Sequence, residues 1–204
     1  MAITYPISFP NIGIQAVNIR GQSVVGISSS PFTGQQQVYK HQGQWWEMEV
    51  TLPPMKREDA EKVAAFLLKL NGKYGTFLFG DPIASTTLGT GAGTPLVNGG
   101  SQTGDELVTD GWDADSDVLK AGDWIQLGTL GDSRLYKILD DVTSDGSGNA
   151  TLNIWPSLRV SPTDDQSIVV ANTKGVWRMS SNSVDYSIDR ASIYGITFAC
   201  VEAL

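Results

Sequence analysis

The chain has 204 residues, 41 % of them apolar and 18 % charged, with a formal net charge of −8, one Cys and one His. Such a composition describes a folded chain of one or two domains rather than a disordered one, and the acidity excludes a module that grips the nucleic-acid backbone through clustered Lys and Arg. A single cysteine, Cys200, excludes an intrachain disulfide framework, and with His41 it makes too few ligands for an ordinary zinc site.

Taken in order, Ile3, Tyr5, Ile7 and Phe9 share one face before Pro10-Asn11-Ile12-Gly13 turns the chain. Ile14–Ile19 and Gln22–Ser28 predict two short strands. Ser28–Gly34 reads as a loop, in which Pro31 holds Ser30 extended and Gly34 permits a turn. Gln35–Lys40 predicts a further strand, and His41-Gln42-Gly43-Gln44 a hairpin turn. Trp45–Leu52 then alternates, placing Trp46, Met48, Val50 and Leu52 on one face and Trp45, Glu47, Glu49 and Thr51 on the other, as a half-buried strand does. Pro53-Pro54 ends it, because neither ring nitrogen donates a ladder hydrogen bond. From Lys56 to Leu70 the period becomes helical, with Ala60, Val63, Ala64, Leu67 and Leu70 as the apolar stripe and Asn71-Gly72 as the stop. Gly75–Gly80 is the next strand, and Asp81-Pro82 closes the unit.

Beyond Pro82 the composition shifts. Ile83–Gly104 is rich in Gly, Thr and Ser and predicts a flexible crossing, since so little apolar surface does not offset chain ordering. Short strands are then expected at Leu107–Trp112, Asp123–Gly128, Leu135–Leu139, Ala150–Trp155 and Ser167–Ala171, with a strong turn at Asp145–Asn149. Together they predict a small antiparallel barrel or sandwich. After Gly175 come Val176–Met179, Tyr186–Asp189 and Tyr194–Val201, the last with Tyr194, Ile196, Phe198 and Cys200 on one side. The fold class expected is mainly β with one short helix: residues 1–82 plus 176–204 form a β domain carrying helix 56–70, and residues 83–175 an inserted antiparallel β domain.

Chemistry is sparse in the pattern. Gly89-x-Gly91-x-Gly93 lacks the Lys-Ser/Thr of a phosphate loop and no helix pattern follows, so a connecting segment is the better reading. Asp141–Asn149 lacks ligands at calcium-loop spacing and reads as a turn. His41 serves no Gly-x-Ser-x-Gly elbow, and Cys200 in an apolar strand is a small core residue. Glu47 and Glu49, about 7 Å apart along one strand face, are formally compatible with a glycosidase pair, although a solvated face explains them equally well. Trp45, Trp112, Trp124 and Trp155 are candidates for glycan or partner contact, because indole rings stack on apolar faces. No cofactor, metal or catalytic residue is expected. Lacking a stretch of about 18 apolar residues and a signal-like N-terminus, the chain is expected to be a soluble protein made in the cytoplasm, with no membrane insertion.

The run Trp45-Trp46-Glu47-x-Glu49-Val50-x-Leu52-Pro53-Pro54-Met55, the helix end Leu67-Leu68-x-Leu70-x-Gly72, and Tyr74-Gly75-Thr76-Phe77-Leu78-x-Gly80-Asp81-Pro82 resemble tail-tip structural proteins of long-tailed bacteriophages, in layout the distal tail proteins, including those of gene transfer agents. The resemblance continues through Ala121–Gly128, the Tyr136 strand, Gly148-x-Ala150-Thr151-Leu152-x-Ile154-x-Pro156-x-Leu158-Arg159 and Gly175-Val176-Trp177-Arg178. It implies a β-barrel or split-barrel belt domain and a hexameric ring at the virion tail tip. That ring would join the tail tube protein to the hub or baseplate proteins, with DNA passing through its channel without being specifically bound. A neighbouring role as hub or terminator belongs to the same class. A carbohydrate-binding, receptor-recognition module is the alternative reading, and a glycoside hydrolase built on Glu47 and Glu49 a third.

Overall fold

Alternation, paired prolines and turn residues become strands and their ends in a computed structural model that describes residues 3–188 and 193–204. The strands are β1 (Ile7–Ser8), β2 (Ala16–Ser29), β3 (Gln36–Thr51), β4 (Met55–Lys56), β5 (Thr76–Phe79), β6 (Gly93–Val97), β7 (Gly104–Trp112), β8 (Asp117–Leu119), β9 (Trp124–Leu127), β10 (Arg134–Ile138), β11 (Val142–Thr143), β12 (Ala150–Leu158), β13 (Ile168–Val169), β14 (Gly175–Met179), β15 (Tyr186–Ile188) and β16 (Ile193–Glu202). One helix, α1 (Arg57–Lys69), lies between β4 and β5. The fold is thus mainly β with one short helix, as expected. Asp189, expected at the end of β15, lies outside the described residues.

The first sheet runs β1-β5-β14-β16-β3-β2, with β4 and β15 joined to β16. β16 changes partners along its length: Tyr194 meets Met55 of β4, while Thr197–Val201 run antiparallel to β3. That exchange bends the sheet nearly into a barrel, and α1 packs one face against its core. The expected alternation is realised, since Trp46, Met48 and Val50 of β3, Leu52 just past its end, and Tyr194, Ile196, Phe198 and Cys200 of β16 all lie in one core. Against them α1 buries Ala60, Val63, Phe66 and Leu67, and an edge-on aromatic contact at 5.6 Å joins Phe66 to Phe77. Glu58 and Asp59 in the first turn and Lys69 in the last oppose the helix dipole favourably. Asn71 and Gly72, with φ of 52° and 64°, end the helix in the left-handed conformation that an Asn-Gly stop supplies.

The second sheet runs β13-β9-β10-β12-β7-β6, antiparallel throughout, beside a two-stranded β11-β8 pair. Its two ends meet. Leu96 bridges Ser167, Val97 N–H donates to Gln166 O (3.0 Å) and Asp165 N–H donates to Val97 O (3.0 Å), so the six strands close into a small barrel. Its interior is Leu107, Trp112, Ile125, Tyr136, Leu152 and Ile154, among others. Trp124 and Leu135, although on barrel strands, pack into the core of the first sheet.

Three expectations are corrected. The predicted pair of strands at 14–19 and 22–28 is one strand of 14 residues, β2. His41–Gln44 is no turn: β3 runs through it for 16 residues, and the hairpin turns instead between Ser29 and Gln36. Finally, the run 83–104 is no slack crossing. Leu88 and Gly89 N–H donate to the buried Asp123 carboxylate (2.7 and 3.2 Å), Gly91 N–H donates to Val118 O (2.8 Å), and Gly93–Val97 is a barrel strand. Glycine is required at position 89 for backbone approach, because a Cβ there would lie 2.5 Å from Val118 O.

Candidate assembly surface

β2 and β3 form an antiparallel ribbon whose two halves have different fates. In the lower half Val17 faces Val50 and Ile19 faces Met48, and these side chains turn toward the core. At Ser23 the register slips: Ser23 pairs with Gln44 but Val25 pairs with Lys40, so Val24 alone stands against His41, Gln42 and Gly43. An insertion of this kind kinks a ribbon and increases its twist. Above it Val25 pairs with Lys40, Ile27 with Val38 and Ser29 with Gln36. By strand parity Val25 and Ile27 continue the face that Val17 and Ile19 bury below, yet Val25, Ile27 and Val38 are 48, 64 and 59 % exposed. Tyr39, on the opposite face, is half exposed as well.

A tight loop closes the ribbon. Gly34 N–H donates to Ser30 O and Ser30 N–H to Gln35 O (both 2.9 Å), while Ser30 Oγ accepts from Thr33 N–H (3.3 Å). On that bonded loop Phe32 is 95 % exposed. β2 also ends the strand order of its sheet, and among the described residues its outer edge pairs with no strand. At about 3.3 Å per residue this edge is about 40 Å long. Charge follows the same division: no Asp or Glu precedes Glu47, and residues 21–39 carry no charged side chain at all.

The base of the ribbon is fixed to the barrel by indole rings and one buried ion pair. Trp46 lies 4.8 Å from Trp124 and 4.3 Å from Trp155 between ring centres, and its Nε1–H donates to Leu135 O (3.2 Å). Arg159 pairs with Glu202, its Nη2 at 2.7 Å from Glu202 Oε2, and the two side chains are 13 and 2 % exposed. Glu202 Oε2 also accepts from Trp46 N–H (3.0 Å), and Arg159 Nη2 donates to Gln44 O (3.0 Å). Gln44 Oε1 accepts from Ser157 N–H (2.8 Å). Further out Lys40 Nζ reaches Asp105 of β7 at 3.7 Å, a solvent-exposed pair that contributes little stability.

The four tryptophans singled out in the sequence do not gather on one face. Trp112 is buried in the barrel and donates to Thr109 Oγ1 (2.8 Å). Trp124 is buried at the junction, donates to Asp81 Oδ2 (3.3 Å) and carries Lys137 Nζ 4.1 Å over its ring. Burial pulls the Lys137 pKa down. Trp155 is half-buried against Trp46, and Trp45 lies on the opposite sheet face with its Nε1–H on Glu47 Oε1 (3.1 Å).

Glu47 and Glu49 line a groove of about 360 Å³ with Asn18, Arg20 and Ser180. Hydrogen bonds from Gln22 and then Trp45 hold the Glu47 carboxyl below the usual carboxylate range, and Glu49 lies 3.7 Å from Arg20. The Cys200 thiol is buried, and burial pushes its pKa far up, which suppresses the thiolate. Asp145 Oδ1 accepts from Ser147 and Asn149 N–H (both 2.8 Å), which gives the 145–149 turn its shape.

Sequence reasoning missed the ribbon, the Asp123 clamp and the Arg159–Glu202 pair. One signal for the ribbon was present: an uncharged run containing Val24, Val25, Ile27 and Val38 inside an acidic chain. No protein-family model matches the chain, and no curated protein matches it at a significant level.

Proposed function

We propose that the chain is a structural protein of a phage tail tip, a distal tail protein, and that it assembles with copies of itself into a closed ring between the tail tube and the hub or baseplate proteins. The observation that carries this reading is the bare ribbon: an edge of 14 residues that pairs with no strand among the described residues, continuous with an apolar face that they leave exposed. Such an edge invites pairing with another chain, and a closed assembly satisfies it without leaving a free end. The resemblance to distal tail proteins supplies the stoichiometry of six and the place in the virion.

Charge distribution supports the same arrangement. Residues 83–175 carry 13 Asp/Glu against 5 Lys/Arg, whereas the rest of the chain carries nine of each, so the whole net charge of −8 sits on the barrel. Copies that approach through the first sheet and its ribbon meet at neutral surfaces and keep their acidic barrels apart. Like charges brought together in a ring would oppose it. A channel bordered by neutral or acidic surface also lets DNA pass without holding it.

Light scattering on the purified full chain across a concentration series, followed by negative-stain imaging of the same sample, tests the reading. Rings of six, or a mass climbing toward six with concentration, are the expected result. A monomer at every concentration, with no assembly on added tail tube or hub protein, would overturn it.

A further inference from the structure

The ribbon tip and the base of β2 differ in shape in a way that suits them to each other. At the tip, Phe32 projects from a loop already fixed by its own hydrogen bonds, so holding the ring in place costs little additional ordering. At the base lies an apolar groove of about 480 Å³, lined by Ile12, Ile14, Val17, Ile19, Pro82 and Ile83. Ile83 forms its bare rim, 91 % exposed. One carboxylate, Asp81, also lines the groove, and it is engaged, accepting from Ile83 N–H (3.0 Å) and Trp124 Nε1–H (3.3 Å).

We infer that Phe32 of one copy seats in the Ile12–Ile83 groove of the next, and that this knob and groove are the directional contact of the ring. The inference rests on the ring reading above and names the side chains that would make it. A chain cannot fill its own groove, because extended β2 separates the two sites by about 40 Å. The occupant is therefore another molecule, and the matching knob lies on the same sequence. Electrostatics permits it, since neither the tip nor residues 11–19 carry a charge. Size permits it too: residues 23–42, exposed at nearly every position, make about 20 residues, close to the 20–30 a side that stable interfaces use. Knob and groove are different surfaces, so the contact is head-to-tail, the kind that closes into rings rather than isolated pairs.

The test places cysteines beside the knob and at the rim, Thr33→Cys and Ile83→Cys, in the full chain; buried Cys200 does not compete. Under mild oxidation the double variant is expected to give a ladder of disulfide-linked trimers and larger species, whereas either single variant stops at dimers. Adding Phe32→Asp should abolish the ladder and weaken self-association of the otherwise unaltered protein by roughly 10- to 100-fold, as removal of one buried aromatic anchor implies. Phe32→Leu should retain it. Because Phe32 is exposed, the thermal midpoint of these variants serves as the folding control. A ladder that survives Phe32→Asp, or no ladder from a protein that does form rings, overturns this contact and leaves the ring reading standing. A protein that never assembles overturns both.

Discussion

The two sheets of this protein manage their edges in opposite ways. In the barrel of residues 83–175 strand β6 bonds to residues 165–167, which lead into β13, so the two ends of the sheet meet along that seam, and the unit carries the chain's entire net charge. The first sheet is open at β2, and there it lacks the usual protections. Proline, lysine and inward charge blunt the edges of monomeric sheets, but β2 carries Arg20 as its only charge and no proline over its 14 residues. One unit thus closes its sheet on itself, while the other, among the described residues, leaves a long strand edge unpaired. Since the two share a single aromatic junction, the comparison can be broken there.

The largest loss is expected for Trp46→Ala. Trp46 is buried, touches Trp124 and Trp155, and donates to Leu135 O. Its truncation opens a cavity between the sheets and should cost about 4 kcal/mol in urea unfolding. If barrel and first sheet unfold as one unit, the transition stays single and shifts. Two transitions would show that the sheets are independent apart from this ring. Arg159→Ala should cost about 3 kcal/mol by leaving Glu202 buried without its cation. A smaller effect belongs to Gly21→Ala, whose Cβ would meet the Trp155 ring at 2.7 Å. Overpacking of that kind costs about 1–2 kcal/mol. It should also tilt the ribbon away from the barrel, so self-association is expected to fall while the barrel's near-ultraviolet circular dichroism is retained.

Much of this contrast was legible in the sequence on one side only. Trp45–Leu52 and Tyr194–Cys200 alternate because one face meets the core and the other does not, so period 2 encodes burial and could be read. The α1 stripe and its Asn71-Gly72 stop were readable for the same reason. In the upper ribbon both faces are bare, and the code fails: Ser28, Ser29 and Gln35–Gln37 alternate nothing, and His41-Gln42-Gly43-Gln44 looked like a turn when it holds a register slip. Glycine misled in residues 83–104, where it serves close backbone packing, at Gly89 against Val118, rather than slack. The Arg159–Glu202 pair joins residues 43 apart in sequence, which no local pattern announces. The Trp residues were found, but their placement depends on which sheet packs on which, and the sequence carries no period for that.

The smallest expected effect, and the sharpest test of the barrel as an independently shaped unit, is the pH dependence of the 145–149 turn. Asp145 accepts from the Asn149 side chain and from the Asn149 and Ser147 N–H groups, and these bonds hold its carboxyl below the usual aspartate range. A carboxylate depressed in the folded state stabilises it fully above the unfolded pKa of about 3.9, and that contribution fades as pH falls through the lower folded value. Asp145→Ala should therefore lower the thermal midpoint slightly at neutral pH, and the difference from the natural chain should shrink to nothing in acid. Glu47, also depressed but on the first sheet, supplies the control: its own loss with pH should be unaltered in the Asp145 variant. If it changes as well, the turn is coupled through the Trp46 junction to the ribbon, and the two sheets respond to acid as one body.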